Sequence, residues 1–502
     1  MEENTQNVKV AYIKALPSLN LNATFNTIID TNVKIKNVLD INIFVFDIKT
    51  ECGNGKAVVN GKIGMKVLYI DTDNITNTLT DSVPFSESYV NPSITNDCVM
   101  IFSVEHISYN ILSIEGNLKV NCESLLKPLA YMNLPLGNTN NYNNMIVKKS
   151  QMETSTINQY INTNFEYTTT FETKDSISKV LYHNAHFANT KTTCFDGYVV
   201  VEGKLYSTLV YETQVDDQYV IKELTDCFNL KTDVELSNVT NENILDAALV
   251  VDKFKETIST EVDDANNVIT VVNNLKLEGV CLKNISIDIV DDLYSTENEL
   301  ELNYNKRDFV KSSICDVVET SVSGEIMLSN QETAIDAVIS NLTICPEITN
   351  SYLKDGFIFV EGLISSNLIY IDENKEYKQK PCEIPFIVNT NIAGENVLGS
   401  NSTVNVIDCK VKIKRGTIIE LDYKLCVKTC NHELANKDMV DSVKIGKQLD
   451  FSNYDYQIYL AKPNETIWEL CKRIKTTPEN LRSYNKNLPL ELTGNEKIIV
   501  KR

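Results

Sequence analysis

A basic surplus is the first thing this sequence lacks. Its 502 residues carry 47 Lys or Arg against 68 Asp or Glu, a formal charge of −21. Nucleic acid and anionic membrane surfaces repel such a chain, so neither is an expected partner. No apolar run approaches the 18 or more residues of a membrane-spanning helix, which argues against direct membrane insertion. The opening stretch, MEENTQNVKVAYIK, has no basic segment followed by an apolar one. No secretory signal is therefore expected, and the cytosol is the expected compartment. Thirteen Cys, an odd number, are scattered without a regular framework. They are expected to stay reduced and to pack as small apolar residues.

Catalytic signatures are lacking too. There is no Gly-rich phosphate loop, no G-x-S-x-G and no Cys–His protease pattern. Of the four His, His183 and His186 share the i, i+3 spacing of HNAH, but no Cys pair or acidic motif accompanies them at zinc-site spacing. Cys430 and His432 in KTCNHE stand equally alone. No catalytic residue, metal or cofactor is nominated on these grounds. The hydrophobic content of 43% is ordinary for globular proteins, and the length predicts three or four domains.

What is present is an internal repeat. KAVVNGKIGMKVLYID around Gly61, GYVVVEGKLYSTLVYE around Gly203 and GFIFVEGLISSNLIYI around Gly362 share one pattern. A Tyr follows each Gly by eight residues: Tyr69, Tyr211 and Tyr370. A Phe follows by 24 or 25: Phe85, Phe228 and Phe386, the first and last preceded by Pro. The even positions after each Gly form a mostly apolar face: Ile63, Met65 and Val67; Leu205, Ser207 and Leu209; Ile364, Ser366 and Leu368. That alternation predicts a strand, with the Gly at a bulge or a close backbone approach inside it. Short Val/Ile/Thr/Tyr runs dominate elsewhere, and one helix candidate spans Thr240–Ile258. The body thus reads as mainly β, in three related units at 1–145, 146–308 and 309–450. The Asn-rich Gly137–Met145 marks the first boundary. The second is inferred by counting back from Gly362.

The last fifty residues, 453–502, differ in style. Nine basic against six acidic side chains give +3 there, leaving −24 on the preceding 452 residues. A strand at Tyr456–Ala461 leads to Ile467, Leu470, Cys471 and Ile474, the apolar stripe of a short helix. Thr477 as N-cap and Pro478 as first helical residue predict a second helix over Glu479–Asn485. A strand over Lys497–Val500 closes a β-α-α-β unit.

This tail resembles a LysM domain on Tyr456, Ile458, Thr466, Ile467, Trp468, Leu470, Cys471, Leu481, Asn485 and Ile499. It departs in the first loop, where Asn464 replaces the usual Gly and Glu465 the usual Asp, and it lacks the closing Pro. The repeated body is similar to the SPOCS domain, and the combined order resembles the SipL-like spore coat morphogenetic proteins. That resemblance implies a non-enzymatic adaptor of the mother-cell cytosol and forespore surface. Its LysM module would bind the coat ATPase SpoIVA, while its β units would serve self-association or other coat proteins.

LysM domains alternatively bind N-acetylglucosamine chains of peptidoglycan or chitin, in a groove between two loops. Here those loops hold Pro463, Asn464, Glu465 and Thr466 on one side, and Tyr484, Asn485, Asn487 and Leu488 on the other. Asn464 tolerates the left-handed backbone that a Gly would supply. Trp468, the only Trp, is expected to be partly buried against the helices and is also a candidate contact. Lys472, Arg473, Lys475 and Arg482 are expected either as a solvated helix face or as contacts to an acidic partner.

Overall fold

The computed structural model describes residues 9–28, 34–92, 94–113, 117–135, 145–216, 218–252, 256–263, 266–393, 400–451, 455–486, 488–489 and 492–501. Strands account for 81% of it, with two short helices.

One connectivity recurs three times along the chain. In the first block, β1 (Lys9–Ala15) and β2 (Leu19–Ile28) precede a meander of β3 (Ile35–Gly53), β4 (Lys56–Asp71) and β5 (Thr76–Val90). Strands β6 (Val99–Ser113) and β7 (Asn117–Pro135) follow. β7 then pairs antiparallel with β1, β2 and β6, forming a second sheet. The second block runs β8 (Met145–Thr173), a meander of β9 (Ile177–Phe195), β10 (Tyr198–Val215) and β11 (Gln218–Glu235), then β12 (Asn243–Val251), β13 (Thr257–Asp263) and β14 (Asn266–Ser295). Here β14 returns to β8, β12 and β13. The third runs β15 (Asn298–Met327), a meander of β16 (Ile335–Lys354), β17 (Phe357–Asp372) and β18 (Tyr377–Ala393), then β19 (Ser400–Lys414) and β20 (Ile418–Gln448). Again the last strand returns, pairing with β15 and β19.

Alternation along each strand explains why the two sheets of a block stack. Ile63, Met65, Val67 and Tyr69 of β4 pack with Leu118, Val120 and Leu126 of β7. Leu205 of β10 packs with Leu275 and Leu277 of β14, and Ile364, Leu368 and Tyr370 of β17 with Leu421, Tyr423 and Leu425 of β20. These inward faces include every apolar even position after the repeat Gly. Burial of such rows is the main stabilising contribution in each block.

The repeat glycines do sit inside continuous strands. Each lies where the central strand's pairing with the preceding strand shifts register: Phe46/Lys49 opposite Lys62/Asn60, Glu202/Lys204 in β10, and Ile348/Asn350 opposite Gly362/Glu361. On the other side Gly61 pairs with Phe85 and Gly362 with Phe386. A Cβ at Gly61 would lie 2.6 Å from the Phe85 ring; at Gly362 it would lie 2.7 Å from Phe386 and 1.9 Å from the Glu347 carbonyl oxygen. The aromatic ring thus covers the bare backbone. The second block differs, because Phe228 pairs with Leu205 while Gly203 faces Leu230.

The blocks meet through equivalent positions. Leu68, Val210 and Ile369, each seven residues after its Gly, join one buried cluster with Leu39, Leu181 and Leu342. A second shared cluster takes Tyr131 from the first block, Val280 and Leu282 from the second and Val310 from the third. Buried polar groups cross the same junctions. Asn42 donates to the Tyr182 hydroxyl at 2.6 Å, and Asp40 accepts from Thr343 at 2.5 Å and from Asn367 at 3.1 Å.

Three expectations fail here. The stretch proposed as a helix at 240–258 forms β12 and the start of β13, because Leu245, Ala247, Leu249 and Val251 alternate inward while β12 pairs with β14. The boundary at 308/309 falls inside β15. No long loop separates β14 from β15; the Ser295 hydroxyl accepts from the amides of Glu297 and Asn298 and closes a tight turn there. Nor are all thiols free, since Cys315 and Cys430, cross-strand neighbours in β15 and β20, form a disulfide. Residues 137–144 of the expected first boundary lie outside the described residues.

Candidate functional site

The C-terminal tail folds as expected into β21 (Tyr456–Leu460), α1 (Ile467–Ile474), α2 (Pro478–Tyr484) and β22 (Lys497–Lys501), with the two strands antiparallel. Its sequence specifies the helix ends. Thr466 caps α1 in a reciprocal capping box with Glu469, and Lys475 ends it in a left-handed conformation. Thr477 caps α2 by accepting from the Asn480 amide, with Pro478 in the first turn. Leu470, Cys471, Ile474, Leu481, Ile498 and Val500 are buried between helices and strands.

The first loop carries Asn464 at φ +61°, the left-handed geometry read from the sequence. Its amide donates to the Leu492 carbonyl at 2.8 Å. Beside it, Glu465 is buried and clasped by Arg473, whose Nε and Nη2 each donate at 2.7 Å. The Arg473 fork, working against burial, holds the Glu465 carboxyl below the usual carboxylate range. Both side chains are therefore committed to bracing this loop. Pro463 is exposed at its tip, and Thr466 is occupied with capping.

In the second loop, Asn485 is a staple. Its amide donates to the carbonyls of Leu481 and Ile499, each at 2.7 Å, and its oxygen accepts from the Ile499 amide. Both of its side-chain N–H groups and one lone pair of its oxygen are thereby engaged within the module. Leu488 packs partly buried in the module core, whereas Tyr484 is exposed and stacks edge-on against Tyr456 at 6.1 Å. Asn487 lies outside the described residues.

The candidate contacts on α1 turn toward the chain's own body. Trp468 is partly buried as expected, but against β14 of the second block as well as its own helices. Its indole N–H donates to Asp292 at 2.8 Å, and its ring meets Tyr294 edge-on at 5.1 Å. Lys472 donates to the other Asp292 oxygen at 2.6 Å, and the Tyr304 hydroxyl donates to the same atom at 2.9 Å. Tyr294 completes the dock through its hydroxyl, 2.7 Å from the Thr476 carbonyl. Burial pushes the Asp292 carboxyl up, but Lys472, Trp468 and Tyr304 outweigh it and hold the group below its ordinary range. Lys475 is partly buried, which lowers its ammonium, and Arg482 is exposed on α2. Two of the four basic residues are thus engaged within the chain, Lys472 by Asp292 and Arg473 by Glu465.

An outward surface appears that the sequence reading did not single out. Tyr456, Ile458 and Leu460 of β21 are 56%, 70% and 62% exposed, and Ile499 of β22, paired with Ile458, is exposed too. Lys501 and Lys497 pair with Tyr456 and Leu460 and frame this apolar row. The signal was there: one face of a two-stranded sheet suffices to cover two helices, yet Tyr-Gln-Ile-Tyr-Leu places apolar residues on both. Such a cluster of exposed apolar side chains with a charged rim is the usual form of a protein-binding surface.

The histidines named earlier are separated. HNAH lies in β9, where i and i+3 point to opposite faces. His183 meets Glu256 at 2.6 Å and Ser207 at 2.7 Å, while His186 bonds to the Val406 carbonyl. Cys430 and His432, isolated in sequence, gather Cys315 and Asp246 around them in space.

Residues 34–112 match the family model described as SipL, SPOCS domain. The matched stretch covers the first meander and nearly all of β6. It supports a SipL-like relationship and suggests a sporulation-related role. No curated protein and no solved structure matches the chain.

Proposed function

We propose that this chain is a non-enzymatic adaptor of spore coat assembly, built from three SPOCS-like units and a C-terminal LysM-type module. The recurrence of one strand order around a matched SPOCS segment supports the reading of the body as three related units. The observation that carries the adaptor reading is the outward row Tyr456, Ile458, Leu460 and Ile499. With Trp468 and Lys472 engaged by the second block, this row is the apolar surface the module offers to another protein. The partner under this reading is the coat ATPase SpoIVA, met in the mother-cell cytosol at the forespore surface.

The test is a pull-down of purified SpoIVA by the full chain. Ile458→Glu places a charge at the centre of the row and is expected to weaken capture at least about tenfold, equivalent to ~1.4 kcal/mol. Retention of full capture by Ile458→Glu together with Leu460→Glu would sink this surface as the contact. Glycan binding is the second reading, favoured by left-handed Asn464 and the exposed Tyr456–Tyr484 pair. It predicts co-sedimentation with purified peptidoglycan, lost in Tyr484→Ala. A chain that stays in the supernatant rejects it.

A further inference from the structure

Among the described residues, a group of soft and polar ligand atoms gathers where the three blocks meet. Cys315 and Cys430 face each other across β15 and β20. Asp246, on β12 of the second block, reaches over them. One of its carboxylate oxygens and the two Sγ atoms lie within 4.8 Å of one another. His432 is two residues beyond Cys430 along β20 and fully buried, with Nε2 2.9 Å from Asp246 Oδ2. Tyr131, from β7 of the first block, donates its hydroxyl to that same oxygen at 2.7 Å. Ser313 Oγ sits 2.8 Å from His432 Nδ1. None of these groups serves the site described above.

We propose that, with the disulfide reduced, Cys315, Cys430, Asp246 and His432 form a structural zinc site that ties the second block to the third. Two thiolates, an imidazole and a carboxylate are a donor set suited to zinc, and a closed four-ligand shell is the structural kind. Zinc–sulfur bonds of about 2.3 Å and zinc–nitrogen or –oxygen bonds of about 2.0–2.2 Å place tetrahedral donors ~3.3–3.8 Å apart. Opening the disulfide frees the two sulfurs to move apart to that spacing, with the Asp246 carboxylate oxygen within 4.8 Å of both. His432 joins them by exchanging its hydrogen bond to Asp246 for the metal.

The surroundings suit that exchange. Ser313 can accept from Nδ1–H, which leaves the Nε2 lone pair for zinc, and Tyr131 orients the Asp246 carboxylate. Such outer partners are what fix ligand tautomer and direction in metal sites. Two thiolates and one carboxylate against Zn²⁺ leave one negative charge. Lys428, partly buried with its ammonium on the Ala247 carbonyl, offsets it.

The redox step balances simply. A phosphine reductant takes the oxygen of one water and becomes a phosphine oxide. The S–S bond accepts two electrons and two protons and opens to two thiols. These release two protons as they bind Zn²⁺. Disulfide and zinc therefore exclude each other, because the oxidised pair offers no thiolate.

The test uses the full chain, phosphine-reduced or left oxidised, loaded with Zn²⁺, desalted and assayed by elemental analysis. One zinc per reduced chain and less than about a tenth per oxidised chain is expected, together with a higher Tm only for the reduced, zinc-loaded sample. Co²⁺ in place of zinc should give thiolate charge-transfer and tetrahedral d–d absorption in the reduced chain. Cys315→Ser should abolish those bands, and His432→Gln should weaken and shift the d–d set; circular dichroism checks that each variant folds. A reduced wild-type chain that emerges metal-free, or equal loading of both redox forms, overturns the site. Unchanged cobalt spectra in folded His432→Gln overturn the fourth ligand.

Discussion

A buried carboxyl at a block junction and a half-buried one at the tail dock make stability depend on pH in opposite senses. Asp40 is 1% exposed, and burial, only partly countered by hydrogen bonds from Thr343 and Asn367, pushes its carboxyl up to about 6. A folded pKa above the unfolded value means that the folded state binds the proton more tightly. The stabilising contribution is therefore complete below about pH 4 and is lost as pH rises through about 6. At ~1.4 kcal/mol per unit, the swing is on the order of 2–3 kcal/mol. Asp40→Asn keeps the shape and a side-chain acceptor while removing the charge. Urea unfolding at several pH values should show the variant gaining on the wild type between pH 4 and 7; a pH-independent difference would dismiss Asp40 as the source. Asp292 behaves in the opposite sense, since its folded pKa is depressed: its contribution is present above about pH 4 and is lost on further acidification. Asp292→Ala leaves the Trp468 N–H and the Lys472 ammonium without their acceptor. A cost of about 1–3 kcal/mol is expected for the dock. Because Trp468 is the only Trp, a red shift of its fluorescence with the body still folded is the readout, and an unshifted spectrum would argue that the dock survives.

At the scale of elements, glycine and phenylalanine act as a pair, and the two complete pairs make different predictions. In Gly61→Ala the new methyl presses chiefly on the Phe85 ring, with the Phe46 carbonyl at 3.4 Å. In Gly362→Ala it also meets the Glu347 carbonyl at 1.9 Å, and backbone does not swing aside as a ring can. Gly362→Ala should lose ~3 kcal/mol or more and should not be rescued by Phe386→Leu. Gly61→Ala should lose less and recover at least half when combined with Phe85→Leu. Chemical denaturation of the four variants checks this, and equal rescue of both would refute the backbone argument. These pairs were legible in the sequence because strand period, Gly and Phe recur locally, and the tail helices were legible from the stripe Ile467, Leu470, Cys471 and Ile474 and from Thr477 and Pro478. Less local facts were not. The stripe of α1 shows which side meets the module's own core, but not that Trp468 and Lys472 face Asp292, 176 and 180 residues away. Asp246 and His432 are likewise 186 residues apart. The Thr240–Ile258 stretch fitted both periods, and only pairing with β14 decides between them.

For the whole molecule, the decisive feature is that each block uses both sides of its meander. One side faces the block's own second sheet. Leu68, Val210 and Ile369 on the other side close the shared cluster, and each is at most 1% exposed. A block cut from the chain would present that row, together with Asp40 or its polar neighbours, to water. The body should therefore unfold as one cooperative entity rather than as three independent domains. Leu68→Ala removes buried methyl groups from a position that belongs to all three blocks, at an expected cost of about 2–5 kcal/mol. If the shared core couples the blocks, native-state hydrogen exchange should show β10 and β17 losing protection along with β4, by a similar free energy, within a single calorimetric transition. Loss confined to strands of the first block would mean that each sandwich is held by its own sheets, with the junction contributing only contact. In that case the tail's dock on β14 would depend on the second block alone, and Leu68→Ala would leave the Trp468 fluorescence unchanged across the first transition.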